Sequence, residues 1–149
     1  PVARPAQPHR PLQAMHLTPF VQVDDVLFST TRAELLRRKG QPLCRSINDV
    51  ALEAFDYGGV VYRFQASGRL EEVTQRAPVL HLGGLAVPFR ALQAFVRAQD
   101  ADAFERAGFV VSPRFGLAFV PRDPDWVTAL APHCIATWRA LDAPDPSPD

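Results

Sequence analysis

The chain has 149 residues, of which 47% are hydrophobic, enough for one domain with its own core. Its 16 basic and 16 acidic residues cancel, which excludes an overall positive field that would recruit nucleic acid or an anionic membrane. Neither a secretory signal nor the roughly 18 consecutive apolar residues of a membrane span is recognisable, so we expect a soluble cytoplasmic protein.

The two ends of the chain have compositions that do not support a packed core. Residues 1–14 contain four prolines and two arginines but no acidic residue. We interpret them as a disordered leader or an artificial extension, with Met15 as a candidate natural start. Residues 143–149 have the composition of a disordered tail. This leaves residues 15–142 as a single α+β domain.

The domain begins with strand-like sequence followed by one well-marked helix. Residues 17–28 are rich in β-forming side chains, and Asp24-Asp25 predicts a turn within them. Thr31 and Glu34 match the Thr-x-x-Glu capping box, in which the hydroxyl accepts a first-turn amide and the carboxylate reaches back to the N–H of the capping residue. With Gly40 as a stop signal, the pattern predicts a helix over residues 32–39.

The middle of the chain predicts hairpins. Residues 50–57 are interpreted as a strand that ends at the Gly58-Gly59 pair. Residues 60–64 and 70–73 flank a Ser67-Gly68 turn and are expected to pair. A short strand over 79–82 comes next.

Further helices and a second hairpin are predicted from Pro88 onward. Pro88 opens a helix in which Phe89, Leu92 and Val96 recur on one face. Asp102 and Glu105 repeat the capping pattern and predict a short helix that Gly108 ends. Residues 109–111 and 117–120 flank a turn at 113–116 and form the second predicted hairpin.

The remaining sequence predicts one more helix and one ambiguous element. Asp123-Pro124-Asp125 is typical of the start of a short helix that carries Trp126 and Leu130. Residues 134–141 fit either a helix or a strand. The patterns together favour an α+β fold, with an antiparallel sheet built from hairpins and two to four short helices packed on it.

No nucleophilic centre is expected. Cys44 and Cys134 lack Cys-x-x-Cys spacing and are interpreted as buried free thiols rather than as a disulfide. His133 precedes Cys134, but adjacent side chains diverge on a helix or a strand, so we do not expect them to act as a catalytic pair.

The sequence also predicts no metal site and no cofactor. The four histidines, at positions 9, 16, 81 and 133, show no short-range ligand spacing. Glu71 and Glu72 are consecutive, so their carboxylates are expected on opposite faces of a strand and in solvent. We therefore expect a binding protein rather than an enzyme.

Partner-binding residues are expected on the predicted hairpin over 56–72. Asp56 and Tyr57 adjoin a glycine turn, where a tyrosine can anchor an interface. Glu71 and Glu72 add acidic charge that would complement a basic partner surface.

The order of these segments resembles that of small bacterial immunity proteins encoded beside secreted or contact-dependent toxins. The resemblance is carried by residues 26–36 (VLFSTTRAELL) with Gly40 and Pro42, 57–64 (YGGVVYRF), 68–73 (GRLEEV), 108–113 (GFVVSP) and 116–119 (GLAF). It implies a protein that works by occluding or distorting a cognate toxin, in agreement with the missing catalytic set. A small-molecule-binding module and a regulatory adaptor are the alternatives.

Overall fold

The computed structural model describes residues 14–140, which form two β-sheets and three helices. Residues 1–13 and 141–149, with most of the expected leader and the expected tail, lie outside the described part. The elements in chain order are β1 (Ala14–Thr18), β2 (Gln22–Val23), β3 (Val26–Leu27), α1 (Arg32–Lys39), β4 (Cys44–Ile47), β5 (Glu53–Asp56), β6 (Val60–Phe64), β7 (Leu70–Arg76), β8 (Val79–Leu82), β9 (Leu85–Pro88), α2 (Phe89–Gln99), β10 (Phe104–Arg106), β11 (Phe109–Ser112), β12 (Leu117–Phe119), β13 (Trp126–Leu130) and α3 (Cys134–Ala140).

The two sheets differ in size and in strand direction. The larger sheet has the order β10-β11-β12-β13-β7-β6-β5-β4, and its neighbouring strands are antiparallel. The smaller sheet has the order β3-β2-β1-β8-β9, in which β1 and β8 are parallel. The α+β class is confirmed, and the three helices lie within the two to four expected. Two sheets, one of which contains a parallel pair of strands, take the place of the single antiparallel sheet that was expected.

Buried apolar side chains of both sheets belong to one hydrophobic cluster. Met15 from β1 and Phe64 from β6 are fully buried within it. Helix α2 adds Phe89, Leu92 and Val96, the three residues whose spacing predicted a helix with one apolar face. That prediction is confirmed.

The predicted capping box at the start of α1 is present. Glu34 donates its backbone N–H to Thr31 Oγ1 at 3.2 Å, and Glu34 Oε1 accepts the backbone N–H of Thr31 at 2.9 Å. The helix covers the predicted residues 32–39, and the Gly40 N–H closes its last turn on the Leu36 carbonyl. Both expected hairpins, β6–β7 and β11–β12, are also formed.

The helix predicted after Asp102 is wrong, because residues 104–106 form strand β10. The Asp100 carboxylate instead accepts hydrogen bonds from residues on either side of β10. Its Oδ1 atom accepts the Asp102 N–H, and its Oδ2 atom accepts the Ser112 hydroxyl. The pair Ala107-Gly108 then joins β10 to β11, with φ angles of +52° and +85°. These angles are those of a tight two-residue hairpin turn.

The helix predicted after Asp123-Pro124 is also wrong. Residues 126–130 form β13, which lies between β12 and β7 in the larger sheet. Its burial explains the outcome, because Val127, Ala129 and Leu130 are fully buried between two hydrogen-bonded neighbours. Tertiary pairing therefore outweighs the local helix signal.

Several smaller predictions are corrected or decided. The strand expected over 50–57 starts only at Glu53, and residues 134–140 are helical. Cys134 is a buried free thiol as expected, but Cys44 is exposed because it lies on the edge strand β4. Within residues 14–140, no helix has both the length and the apolar character needed to cross a membrane.

Candidate functional site

A cleft lies between helix α3, the turn that joins β4 to β5, and strands β6 and β7. It consists of two adjoining cavities of about 470 and 450 Å³, which share Asn48, Glu72 and Trp138. The first cavity is lined mainly by the β4–β5 turn and α3, and the second by the strands of the larger sheet. Each of the two cavities has a volume in the range of small-molecule sites.

A β-bulge in β7 turns two consecutive carboxylates towards this cleft. Arg63 pairs with Glu72 and Phe64 pairs with Leu70, so Glu71 is the extra residue without a partner on β6. A bulge re-aims side chains that a regular strand would place on opposite faces. Glu71 and Glu72 both line the first cavity. The expectation that they point to opposite faces and into solvent is therefore wrong.

Glu71 is the centre of a cluster with His133 and Cys134. The Glu71 Oε1 atom is in direct contact with His133 Nε2 and accepts a hydrogen bond from Gln65 Nε2 at 2.7 Å. The Cys134 Sγ atom lies 3.3 Å from Glu71 Oε2 and 3.2 Å from the Glu71 carbonyl oxygen. The histidine, thiol and carboxylate ligand atoms all lie within 4.8 Å of one another.

The turn before α3 explains why His133 and Cys134 converge. Ala131 donates its N–H to the Glu71 carbonyl at 3.0 Å, and Cys134 donates its N–H to the Ala131 carbonyl at 3.0 Å. These bonds fasten residues 131–133, which are neither helix nor strand, and the first residue of α3 beside the bulge. The predicted divergence of the two side chains is wrong because it assumed regular structure.

Burial dominates the electrostatics of the cluster. The Cys134 side chain is buried, and burial together with the neighbouring Glu71 carboxylate raises the pKa of its thiol. With its pKa raised in this way, Cys134 stays protonated at neutral pH and is a poor nucleophile. His133 contacts Glu71 rather than Cys134, so the arrangement lacks the base-to-thiol hydrogen bond of cysteine hydrolases.

Glu72 belongs to a polar chain on the floor of the second cavity. Its pKa is raised by burial, although the Arg63 guanidinium 3.3 Å away opposes this shift. Arg63 also donates to Thr74 Oγ1 at 3.0 Å, and Thr74 and Thr128 share a hydroxyl hydrogen bond of 2.8 Å. The chain can orient a polar ligand in the cleft.

The structure does not bring the four predicted partner-binding residues together. Asp56 and Tyr57 lie at the far end of β5, where Asp56 Oδ1 accepts the Gly58 N–H and the Tyr57 hydroxyl donates to the Gly40 carbonyl. The side chains of Glu71 and Glu72 are only 10% and 20% exposed in the cleft. The predicted set therefore divides between two places.

A second surface feature is the edge strand β4 with its flanking residues. Among residues 14–140, β4 pairs with β5 alone, and all four of its residues are exposed. Leu43, Ile47 and Val50 expose 80%, 72% and 67% of their surface. The sequence analysis missed this surface, because exposure of an apolar residue depends on what packs beside it.

Sequence reasoning also missed the contribution of Gln65 and Trp138 to the cleft. Short-range spacing holds no signal for the cluster, because Glu71 and His133 are separated by 62 positions. Comparisons with protein-family models, curated proteins and solved structures found no significant match to this chain.

Proposed function

We propose that this chain neutralises a cognate bacterial protein toxin by binding and occluding it, and that the edge strand β4 is part of the contact surface. The observation that carries the proposal is the exposure of Leu43, Ile47 and Val50 on and beside a strand that has an unpaired edge among residues 14–140. The resemblance to immunity proteins supplies the class of partner.

The energetics of this edge favour association with a protein. Burying a side chain such as leucine or isoleucine contributes about 1.5–3 kcal/mol, so covering these three residues is a substantial driving force. The outer N–H and C=O groups of an edge strand can in addition pair with an extended segment of a partner.

The edge also lacks the charge that discourages such pairing. Arg45 is the sole charged residue of β4, and its guanidinium donates to Glu53 Oε2 at 2.8 Å and lies 4.6 Å from the centre of the Phe55 ring. This cation is therefore neutralised and turned onto its own sheet. Edge strands that avoid association usually present free charge instead.

Asp56 and Tyr57 fit the proposal as neighbours of this edge. Asp56 pairs with Cys44 across the β5–β4 ladder, so Asp56 and Tyr57 border the exposed strand and add a polar rim. Glu71 and Glu72 lie in the cleft, and a partner would reach them only by inserting a side chain. We therefore assign the main contact to β4, Asp56 and Tyr57.

The cleft favours the second candidate, a small-molecule-binding module. Its first cavity of about 470 Å³ combines apolar walls from Leu52 and Trp138 with polar groups from Gln65 and Glu72. That combination is typical of ligand sites. Under this alternative, β4 variants would leave the function of the protein unchanged.

The test compares two matched double variants in a toxin-protection assay. Leu43→Asp with Ile47→Asp alters the proposed surface without touching the residues that line the cleft, and Val21→Asp with Leu27→Asp introduces the same charges at exposed apolar residues beside and within the smaller sheet. Each variant is co-expressed with the product of the adjacent gene, and survival and the Kd of the complex are measured.

We expect the first variant to raise the Kd by about 100-fold or more and to lose protection, since two interface anchors are removed. The control variant should bind and protect as the parent does, and circular dichroism should show both to be folded. Equal protection by the β4 variant would refute the proposed surface. Failure of the parent to bind the adjacent gene product would refute toxin neutralisation.

A further inference from the structure

The Glu71–His133–Cys134 cluster combines three different metal-binding side chains at one point. The carboxylate, imidazole and thiol ligand atoms lie within 4.8 Å of one another, although they come from β7, from the turn before α3 and from the first residue of α3. These are the three ligand types that zinc takes in proteins. The cluster is independent of the edge strand β4 and of the proposed function.

One pair of ligand atoms already has the spacing of a tetrahedral site. Zinc bonds of about 2.0–2.3 Å place neighbouring ligand atoms about 3.3–3.8 Å apart. Cys134 Sγ and Glu71 Oε2 are separated by 3.3 Å. His133 Nε2 contacts the other carboxylate oxygen, Oε1, and the His133 side chain is 30% exposed. Metal binding would require this imidazole to turn from the carboxylate towards the ion.

The charge of the cluster also suits a divalent cation. Glu71 is buried, and a buried charge is costly unless it is paired. A divalent ion between Glu71 and Cys134 would balance the carboxylate and the thiolate that metal binding creates. Metal binding would displace the thiol proton, as it does at other cysteine ligands.

The surroundings hold the ligands in place. Gln65 Nε2 donates to Glu71 Oε1 at 2.7 Å, the Ala131 N–H donates to the Glu71 carbonyl of β7, and the Cys134 N–H donates to the Ala131 carbonyl within the turn. Hydrogen bonds of this kind orient metal ligands and raise metal affinity. Glu71 and Cys134 also line the first cavity, which leaves space for a fourth ligand from solvent.

We propose that Glu71, His133 and Cys134 bind one zinc ion, with the fourth coordination position open to the cleft. The mixed sulfur, nitrogen and oxygen donors select zinc over magnesium and calcium, which prefer oxygen ligands alone. Three protein ligands and an open position form a site at which a water or another small ligand can exchange.

The test measures binding of zinc and cobalt to the reduced, chelator-treated protein. Zinc stoichiometry and Kd are determined by calorimetry and by metal analysis after gel filtration. Cobalt reports the ligands, because a cysteine ligand produces a thiolate-to-cobalt charge-transfer band. Cys134→Ser is compared with Cys44→Ser, and His133→Asn is compared with His16→Asn. Cys44 is exposed and far in sequence from the cluster, so it controls for surface thiols.

We expect one equivalent of zinc and a charge-transfer band for the parent, Cys44→Ser and His16→Asn. Cys134→Ser should lose the band, and both cluster variants should bind zinc at least 100-fold more weakly. Absence of zinc binding by the parent, or loss of the band in Cys44→Ser instead, would overturn the proposal. If a cluster variant does not fold, the parent protein alone still tests the proposal, because a cobalt complex of the parent without the thiolate band would refute the site.

Discussion

At the scale of single residues, buried polar groups are used to connect segments that are distant along the chain. Asp100 is 5% exposed, and its carboxylate accepts the Asp102 N–H, the Ser112 hydroxyl and the Arg114 N–H. These bonds tie the end of α2 to the β11–β12 hairpin. Burial raises the pKa of Asp100, but the hydrogen bonds outweigh it, so the net pKa is lowered.

We predict that Asp100→Asn lowers the free energy of unfolding by about 1–3 kcal/mol at pH 7. The amide retains one oxygen and turns an NH₂ group towards donors that the carboxylate satisfied. The exposed Asp102 is the matched control, and Asp102→Asn should change stability by less than about 0.5 kcal/mol. Denaturant unfolding measures both.

The pH dependence of this effect follows from the lowered pKa of Asp100. A carboxyl group with a lowered folded-state pKa stabilises the fold above its unfolded pKa of about 3.9, and this stabilisation is lost as the pH falls through the folded value. The difference between the parent and Asp100→Asn should therefore be full at pH 7 and shrink below about pH 4. A constant difference down to pH 2 would contradict this assignment.

At the scale of elements, local signals predicted the structure wherever a segment satisfies its own backbone groups. The capping box of Thr31 and Glu34 closes within four residues, and helix α1 has the predicted bounds. The same capping pattern at Asp102 and Glu105 does not produce a helix, because residues 104–106 find a partner strand in β11. Both segments have the capping pattern in their sequence, and the presence of a neighbouring strand determines whether the segment forms a helix or a strand.

The β10–β11 turn offers a prediction about backbone conformation. Gly108 has a φ of +85°, and an added Cβ would meet nothing within 4 Å, so the cost of alanine there comes from the left-handed backbone alone. We expect Gly108→Ala to destabilise the protein by about 1–2 kcal/mol. Gly84 also has open space around its Cβ position but no left-handed φ, so Gly84→Ala should have little effect. Equal midpoints of unfolding for Gly108→Ala and Gly84→Ala would show that a side chain at position 108 does not strain the turn.

At the scale of the whole molecule, β1 joins the two sheets. It lies in the middle of the smaller sheet between β2 and β8, and its Met15 is fully buried in the shared cluster. The Ala14 carbonyl also accepts a hydrogen bond from Gln75 Nε2 of β7 at 3.3 Å.

We predict that deletion of residues 1–13 leaves the melting temperature nearly unchanged, since their composition supports no packed core. Deletion of residues 1–18 should abolish cooperative unfolding, because it removes the central strand of a sheet and the buried Met15 and Leu17. Thermal unfolding followed by circular dichroism distinguishes the two. A drop of several degrees in the shorter deletion would contradict the expected leader.

The sequence alone determined the α+β class, helix α1, the apolar face of α2 and the two hairpins, since each depends on residues within a few positions of one another. Tertiary structure decided the rest. It made residues 126–130 a buried central strand, exposed Leu43 and Ile47 on a free edge, and brought Glu71 to His133 and Cys134 through a bulge and a turn. Contacts between distant segments determine which residues are buried and which side chains come together. The local periodicity of the sequence contains no information about those contacts.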